Sequence, residues 1–159
     1  MMDPITCPER LALRPHVGEL PIPFVTRVGA DGVADFKVHD DARRLEIAEC
    51  RLCQLCGTAL DAEIVFVGTP GSCERATFGE PPMHRDCLEF AWRVCPWLNG
   101  GDWRIAERAG IEVVPRPADA STLGIHTCAE FTVTPDSQRG RGIKFRAGPA
   151  LRPTEWRSR

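Results

Sequence analysis

Tyrosine is absent from the sequence, and its aromatic bulk rests on seven Phe and four Trp. No apolar run approaches the roughly 20 residues that a membrane-spanning helix needs, which argues against a helical membrane protein. The opening stretch, MMDPITCPERLALRPH, has no basic segment followed by a long apolar one and does not read as a secretory signal. No internal repeat is visible. A phosphate-cradling loop is missing too: Gly68-Thr69-Pro70-Gly71 lacks the Lys-Ser/Thr that would follow in a P-loop. These absences lead to the expectation of a cytoplasmic protein, away from membranes, whose thiols stay reduced.

Against that background, eight cysteines need a reason other than disulfides. Metal binding accounts for the close-spaced ones, and burial as small apolar residues is the default for the others. Fourteen Pro and 14 Gly among 159 residues predict many turns and short elements in one domain. Residues 1–23 are Pro-rich and read as irregular, 24–98 as the metal-binding core, and 99–159 as a helix and β-hairpin with a basic tail. Phe24 to Val28 and Val33 to Val38 are β-rich runs around Gly29-Ala30-Asp31-Gly32, which predicts a hairpin. Asp40 or Asp41 caps a short helix with Leu45, Ala48 and Leu52 at helical spacing. Ile64 to Val67 reads as a strand and Gly68 to Gly71 as a turn. A helix is predicted from His84 until Pro96 stops it, and a shorter one from Asp102 to Ala109. His126 to Thr134 and Gly142 to Gly148 are strand-like, with Pro135 to Arg141 as a basic hairpin tip. The sum is a small single-domain α+β protein.

Zinc takes four N or S ligands in a tetrahedron, with Zn–S about 2.3 Å. Cys53-Gln-Leu-Cys56-Gly57 has the form of a metal knuckle, in which the glycine allows positive φ after the second ligand. Cys50 and Cys53 form a competing pair without that glycine. His84 and Cys87 stand at i and i+3 on the predicted first helical turn, so both side chains point to one side. A helix N-terminus also favours a thiolate. Cys53, Cys56, His84 and Cys87 are therefore the candidate ligands of one structural zinc. The 27 residues from Gly57 to Met83 leave room for a β-hairpin between knuckle and helix, an arrangement resembling the treble-clef zinc finger. Cys95 lies about 12 Å further along the helix axis, whereas two thiolates on one zinc must lie within about 4–5 Å of each other. Cys73 stays open as a replacement for His84.

The segments PIPFVTRV, GVADFKV, CQLCG, EPPMHRDC and CPWL, in that order, resemble a group of small uncharacterised cysteine-rich proteins of actinobacteria and their phages. The late GIKFRAGPALRPTEW resembles that group's C-terminal strand and Trp segment. The resemblance covers most of residues 20–98 and is weaker beyond. It groups Cys53, Cys56, His84 and Cys87, places Cys73 and Cys95 in a common framework, and implies no activity.

Four protein ligands leave no open position for a reacting water, so the zinc is expected to hold the fold. Asp86 and Glu89 lie close to it in sequence and are expected to be solvated, not catalytic; a metal-dependent hydrolase is the least favoured reading. His126 and Cys128 share one strand face and read as a satisfied core pair. The expected function is a non-catalytic, zinc-stabilised protein that binds a cellular or host protein partner. The alternative is nucleic-acid binding through Arg139, Arg141, Lys144 and Arg146. From Ser137 to Arg159 there are seven basic residues and one acid. With 20 basic and 22 acidic residues in the whole chain, the remainder holds 13 and 21, a net of −8. Such a tail meets either phosphate or the acidic body of its own chain.

Overall fold

A computed structural model describes residues 6–112, 121–136 and 142–158. From Thr6 onward the Pro-rich start, expected to be irregular, holds short regular elements. Pro8 precedes α1 (Glu9–Ala12), and β1 (His16–Val17) turns through Gly18 to pair with β2 (Leu20–Pro21). Leu11 and Leu20 anchor this segment in the core. Next, β3 (Thr26–Val28) and β4 (Ala34–His39) form the predicted hairpin around Gly29 to Gly32. Asp40 accepts the Arg43 N–H and caps α2 (Asp41–Cys50), as its sequence position predicted. The buried face of α2 differs from the expected one. Leu45 is half exposed, while Ile47 and Arg44 face inward. Arg44 is held there by the carbonyls of Gly79 and Ile143 and by the Phe145 ring.

Between the knuckle and the main helix, the anticipated hairpin is replaced by three separate pieces. These are β5 (Ile64–Gly68), a short helix α3 (Pro70–Arg75) and β6 (Thr77–Phe78). Thr69 caps α3 with Pro70 at its first turn, so the Gly68–Gly71 stretch begins a helix and is not only a turn. The helix α4 (Arg85–Val94) ends at Cys95, whose extended backbone is what a residue before proline adopts. Two short helices follow, α5 (Pro96–Asn99) and α6 (Arg104–Arg108). The stretch expected as one strand after His126 divides into β7 (Thr122–Cys128) and β8 (Phe131–Asp136). β8 pairs antiparallel with β9 (Gly142–Ala147), and β10 (Glu155–Ser158) returns to β7.

The sheet β10-β7-β5 partitions the interior. Because side chains alternate along a strand, β5 sends Val65 and Val67 to one side and Ile64 and Phe66 to the other. Burial on both faces explains why Ile64 to Val67 is an unbroken apolar run. Behind the sheet lies an aromatic core, where Phe66 stacks on Phe78 at 5.1 Å and meets Phe131 edge-on at 6.0 Å. In front lie α1, α4 and the cysteine cluster, packed on Val65, Val67, Leu123 and Ile125. The described residues form the single α+β domain expected. Among them no helix is long and apolar enough to cross a membrane.

Candidate metal centre

Arg51, in the left-handed conformation at the end of α2, turns the chain sharply into the knuckle. Leu52 pairs with Ala59, and the Cys53 N–H donates to the Thr58 carbonyl at 2.9 Å. The Gly57 N–H donates to the Cys53 carbonyl at 2.9 Å, and Gly57 has φ +75°. This is the conformation that the glycine after Cys56 was expected to supply. Backbone bonds then zip the knuckle to the start of α4. Gln54 N–H donates to Pro82 O at 3.0 Å, its side chain donates to Pro81 O at 2.6 Å, and Val65 exchanges two bonds with Met83. His84 is thereby placed as the N-cap residue of α4, with Cys87 three residues on.

The result is a cluster of Cys53, Cys56, His84 and Cys87 whose donor atoms all lie within 4.8 Å of one another. The four residues are between 0 % and 5 % exposed, so water is kept out. His84 Nδ1 lies 3.3 Å from Cys56 Sγ and 4.0 Å from Cys87 Sγ. The ring's other nitrogen, Nε2, lies 2.8 Å from the Ala59 carbonyl, an acceptor only, so Nε2 carries hydrogen and Nδ1 turns its lone pair to the sulfurs. The His84 backbone N–H donates to Cys53 Sγ at 3.4 Å, and Thr58 Oγ1 lies 3.1 Å from Cys56 Sγ.

These spacings suit a metal ion. A tetrahedron with Zn–S about 2.3 Å sets two sulfurs roughly 3.8 Å apart. The electrostatics ask for a cation at the same place. Burial opposes charge on His84, but hydrogen bonds and charge from Cys53 and Cys56 push its pKa up to about 10. Hydrogen bonds from Cys53 and Cys87 hold Cys56 well below the ordinary thiol range, while hydrogen bonds from Cys53 and Cys56, with burial, hold Cys87 above it.

The other sequence candidates lie elsewhere. Cys73 is on α3, with its sulfur directed to the Gly68 carbonyl at 3.8 Å and against Gly124, and is not in the cluster. Cys50 is exposed, and Cys95 is half-buried at the end of α4. His126 and Cys128 are both buried with separate partners, the Gly148 carbonyl at 3.0 Å and the Glu130 carbonyl at 3.3 Å. Glu89 pairs with Arg157 at 2.6 Å and Arg85 at 3.6 Å, and Asp86 pairs with Arg10. Arg139 and Arg141 lie outside the described residues. On β9, Lys144 is half-buried and Arg146 exposed, and neither has an ion pair among the described residues. Two tail arginines do meet the acidic body: Arg152 pairs with Glu63 at 2.6 Å, and Arg157 with Glu89.

Sequence reasoning missed Arg10 and the Ala59 carbonyl. A signal for the helix that carries Arg10 was present in Pro8 followed by Glu-Arg-Leu-Ala. Nothing in the sequence indicated its contact with residues more than 70 positions away. No protein-family model matches the chain, and neither a curated protein nor a solved structure matches it.

Proposed function

We propose that Cys53, Cys56, His84 and Cys87 hold a structural zinc ion, and that the chain is a non-catalytic, zinc-stabilised protein that binds a protein partner. The observation that carries the first half is the closed set of four buried donors, three sulfurs and one imidazole nitrogen. Three thiolates with one imidazole in a tetrahedron suit zinc, and four protein ligands leave no position for a reacting water. The bound ion supplies a cross-link between knuckle and helix, worth on the order of 10 kcal/mol of folding free energy in small modules. The resemblance to small actinobacterial and phage proteins groups the same four residues and brings no activity with it.

Metal analysis tests this half. The purified chain should carry one zinc, and Cys53→Ser and Cys87→Ser should each lose most of it. A wild-type chain with intact thiols that neither carries nor takes up zinc would end the proposal.

Support for the binding role comes from an apolar cleft of about 460 Å³ beside the knuckle. Leu55, Met83, Phe90, Val94 and Trp97 line it, and His39, Glu80, Lys37 and Glu112 stand among its polar residues. Such a cleft suits an apolar side chain of a partner, with the charged groups setting orientation. Ala91→Trp fills the cleft. A partner captured by the zinc-loaded wild type and lost by that variant supports the role, and capture of none, or of the same protein by both, overturns it.

A second reading, nucleic-acid binding, is favoured by one observation. Lys144 and Arg146 stand two apart on β9, hence on one face, without ion pairs among the described residues. Their replacement by Ala should then weaken a salt-sensitive mobility shift. An unchanged shift would remove this reading.

A further inference from the structure

Arg10, on α1, approaches the cluster from outside its four donors. Its Nη2 pairs with Asp86 Oδ1. That same oxygen accepts the Cys87 backbone N–H at 2.8 Å, so Arg10 is tied to the first turn of α4 next to a ligand. Arg10 Nε is buried and, among the described residues, is the one buried side-chain nitrogen or oxygen with no hydrogen-bond partner. A buried guanidinium N–H with no acceptor has lost its water without a replacement partner, which is unfavourable. Leu11, the next residue, is 2 % exposed in the same core as Cys53, Cys56 and Cys87, which keeps α1 in place.

The remaining step rests on the zinc reading above. Zinc with three thiolates and a neutral imidazole carries net negative charge, and a buried net charge is unfavourable unless a cation is near. Of this pair Arg10 is the more buried, its side chain 33 % exposed against 54 % for Asp86, so water screens its charge less. We propose that Arg10 is a positioning residue of the metal centre, its guanidinium tied through Asp86 to the Cys87 backbone N–H so that it offsets the charge of the zinc–thiolate group and slows loss of the metal.

Zinc-loaded wild type, Arg10→Met, Arg10→Gln and Arg10→Lys are compared for the rate of zinc release to excess chromogenic chelator. Their cobalt-substituted forms are compared by absorption. Met and Gln should keep one metal per chain and release it about tenfold faster, as is typical when a group supporting a ligand is removed. Their sulfur-to-cobalt charge-transfer bands should move to lower energy, since no cation then stabilises the sulfur electrons, while the tetrahedral d–d bands stay. Lys should restore most of both effects. A purely packing role would not move the charge-transfer bands, nor be rescued by Lys. Equal release rates and superimposable bands in wild type, Met and Gln overturn the role of Arg10 and leave the zinc reading standing. A wild type that takes up neither zinc nor cobalt overturns the zinc reading, and this proposal with it.

Discussion

Replacing Gly57 by Ala strikes the centre without touching a donor. Gly57 has φ +75°, where an L side chain costs about 1 kcal/mol relative to glycine. The added methyl carbon would also lie 2.6 Å from Phe24 Cδ2 and 2.8 Å from its Cγ. Phe24 cannot swing away easily. Arg43 covers its ring at 4.1 Å, and its N–H donates to the Leu55 carbonyl of the knuckle at 3.0 Å. Overpacking of this kind costs about 1–3 kcal/mol. The two effects together give about 2–4 kcal/mol, a large part of the ~5–15 kcal/mol that holds a domain. Urea unfolding of the zinc-loaded chain, followed by Trp fluorescence, reads the cost. With an m-value of about 2 kcal/mol/M the midpoint should fall by about 1–2 M. In a Phe24→Ala background the contact is gone and only the backbone cost of about 1 kcal/mol should remain. A midpoint shift below about 0.3 M, or an equal cost in both backgrounds, would refute the reasoning.

Other expectations concern the rear of the molecule and its surface. Gly124→Ala would place a methyl carbon 2.6 Å from Cys73 Sγ and 2.8 Å from Trp156 Cζ3. It should cost about 1–3 kcal/mol, part of which Cys73→Ala restores in a thermal-melt double-mutant cycle. The Arg85 hydrogen bond, assisted by Arg157, holds the Glu155 carboxyl below its ordinary 4.5. A lowered carboxylate pKa stabilises the fold above the unfolded value, and that stabilisation is lost as pH falls through the folded one. Arg85→Ala should therefore raise the Glu155 midpoint seen by NMR titration. The change in stability should be under about 1 kcal/mol, because both side chains are well exposed.

Features written locally in the chain were legible before the fold was known. The knuckle needs only Cys53, Cys56 and the turn-permitting Gly57, and the second pair needs only helical spacing. Asp40 announces α2, and Gly29 to Gly32 announce the first hairpin. What could not be read depends on pairing across long separations. The unbroken apolar run of β5 says that both its faces are buried, but not that Ile64 to Gly68 lie against Gly124 to Cys128. The pairing of β6 with β9, and not with β5, is equally silent in the sequence. On α2, Leu45 fitted a helical stripe, yet Arg44 takes the inner face, because the carbonyls of Gly79 in a distant loop and Ile143 in a distant strand satisfy its guanidinium. Helical periodicity registers hydrophobicity and has no means of anticipating such partners.

The partition formed by β5, β7 and β10 bears on how the protein is born. All four donors lie between Cys53 and Cys87, whereas the middle strand of the wall behind them begins at Thr122. A ribosome adding about 5–20 residues per second reaches that strand about 2–7 s after Cys87. During this interval the knuckle and α4 are on an open, half-finished surface, accessible to an incoming ion and equally to an oxidant. Later, the wall closes and the same thiols are sealed from both. On the zinc reading proposed above, an ion supplied during synthesis then reaches the donors more freely than one supplied afterwards.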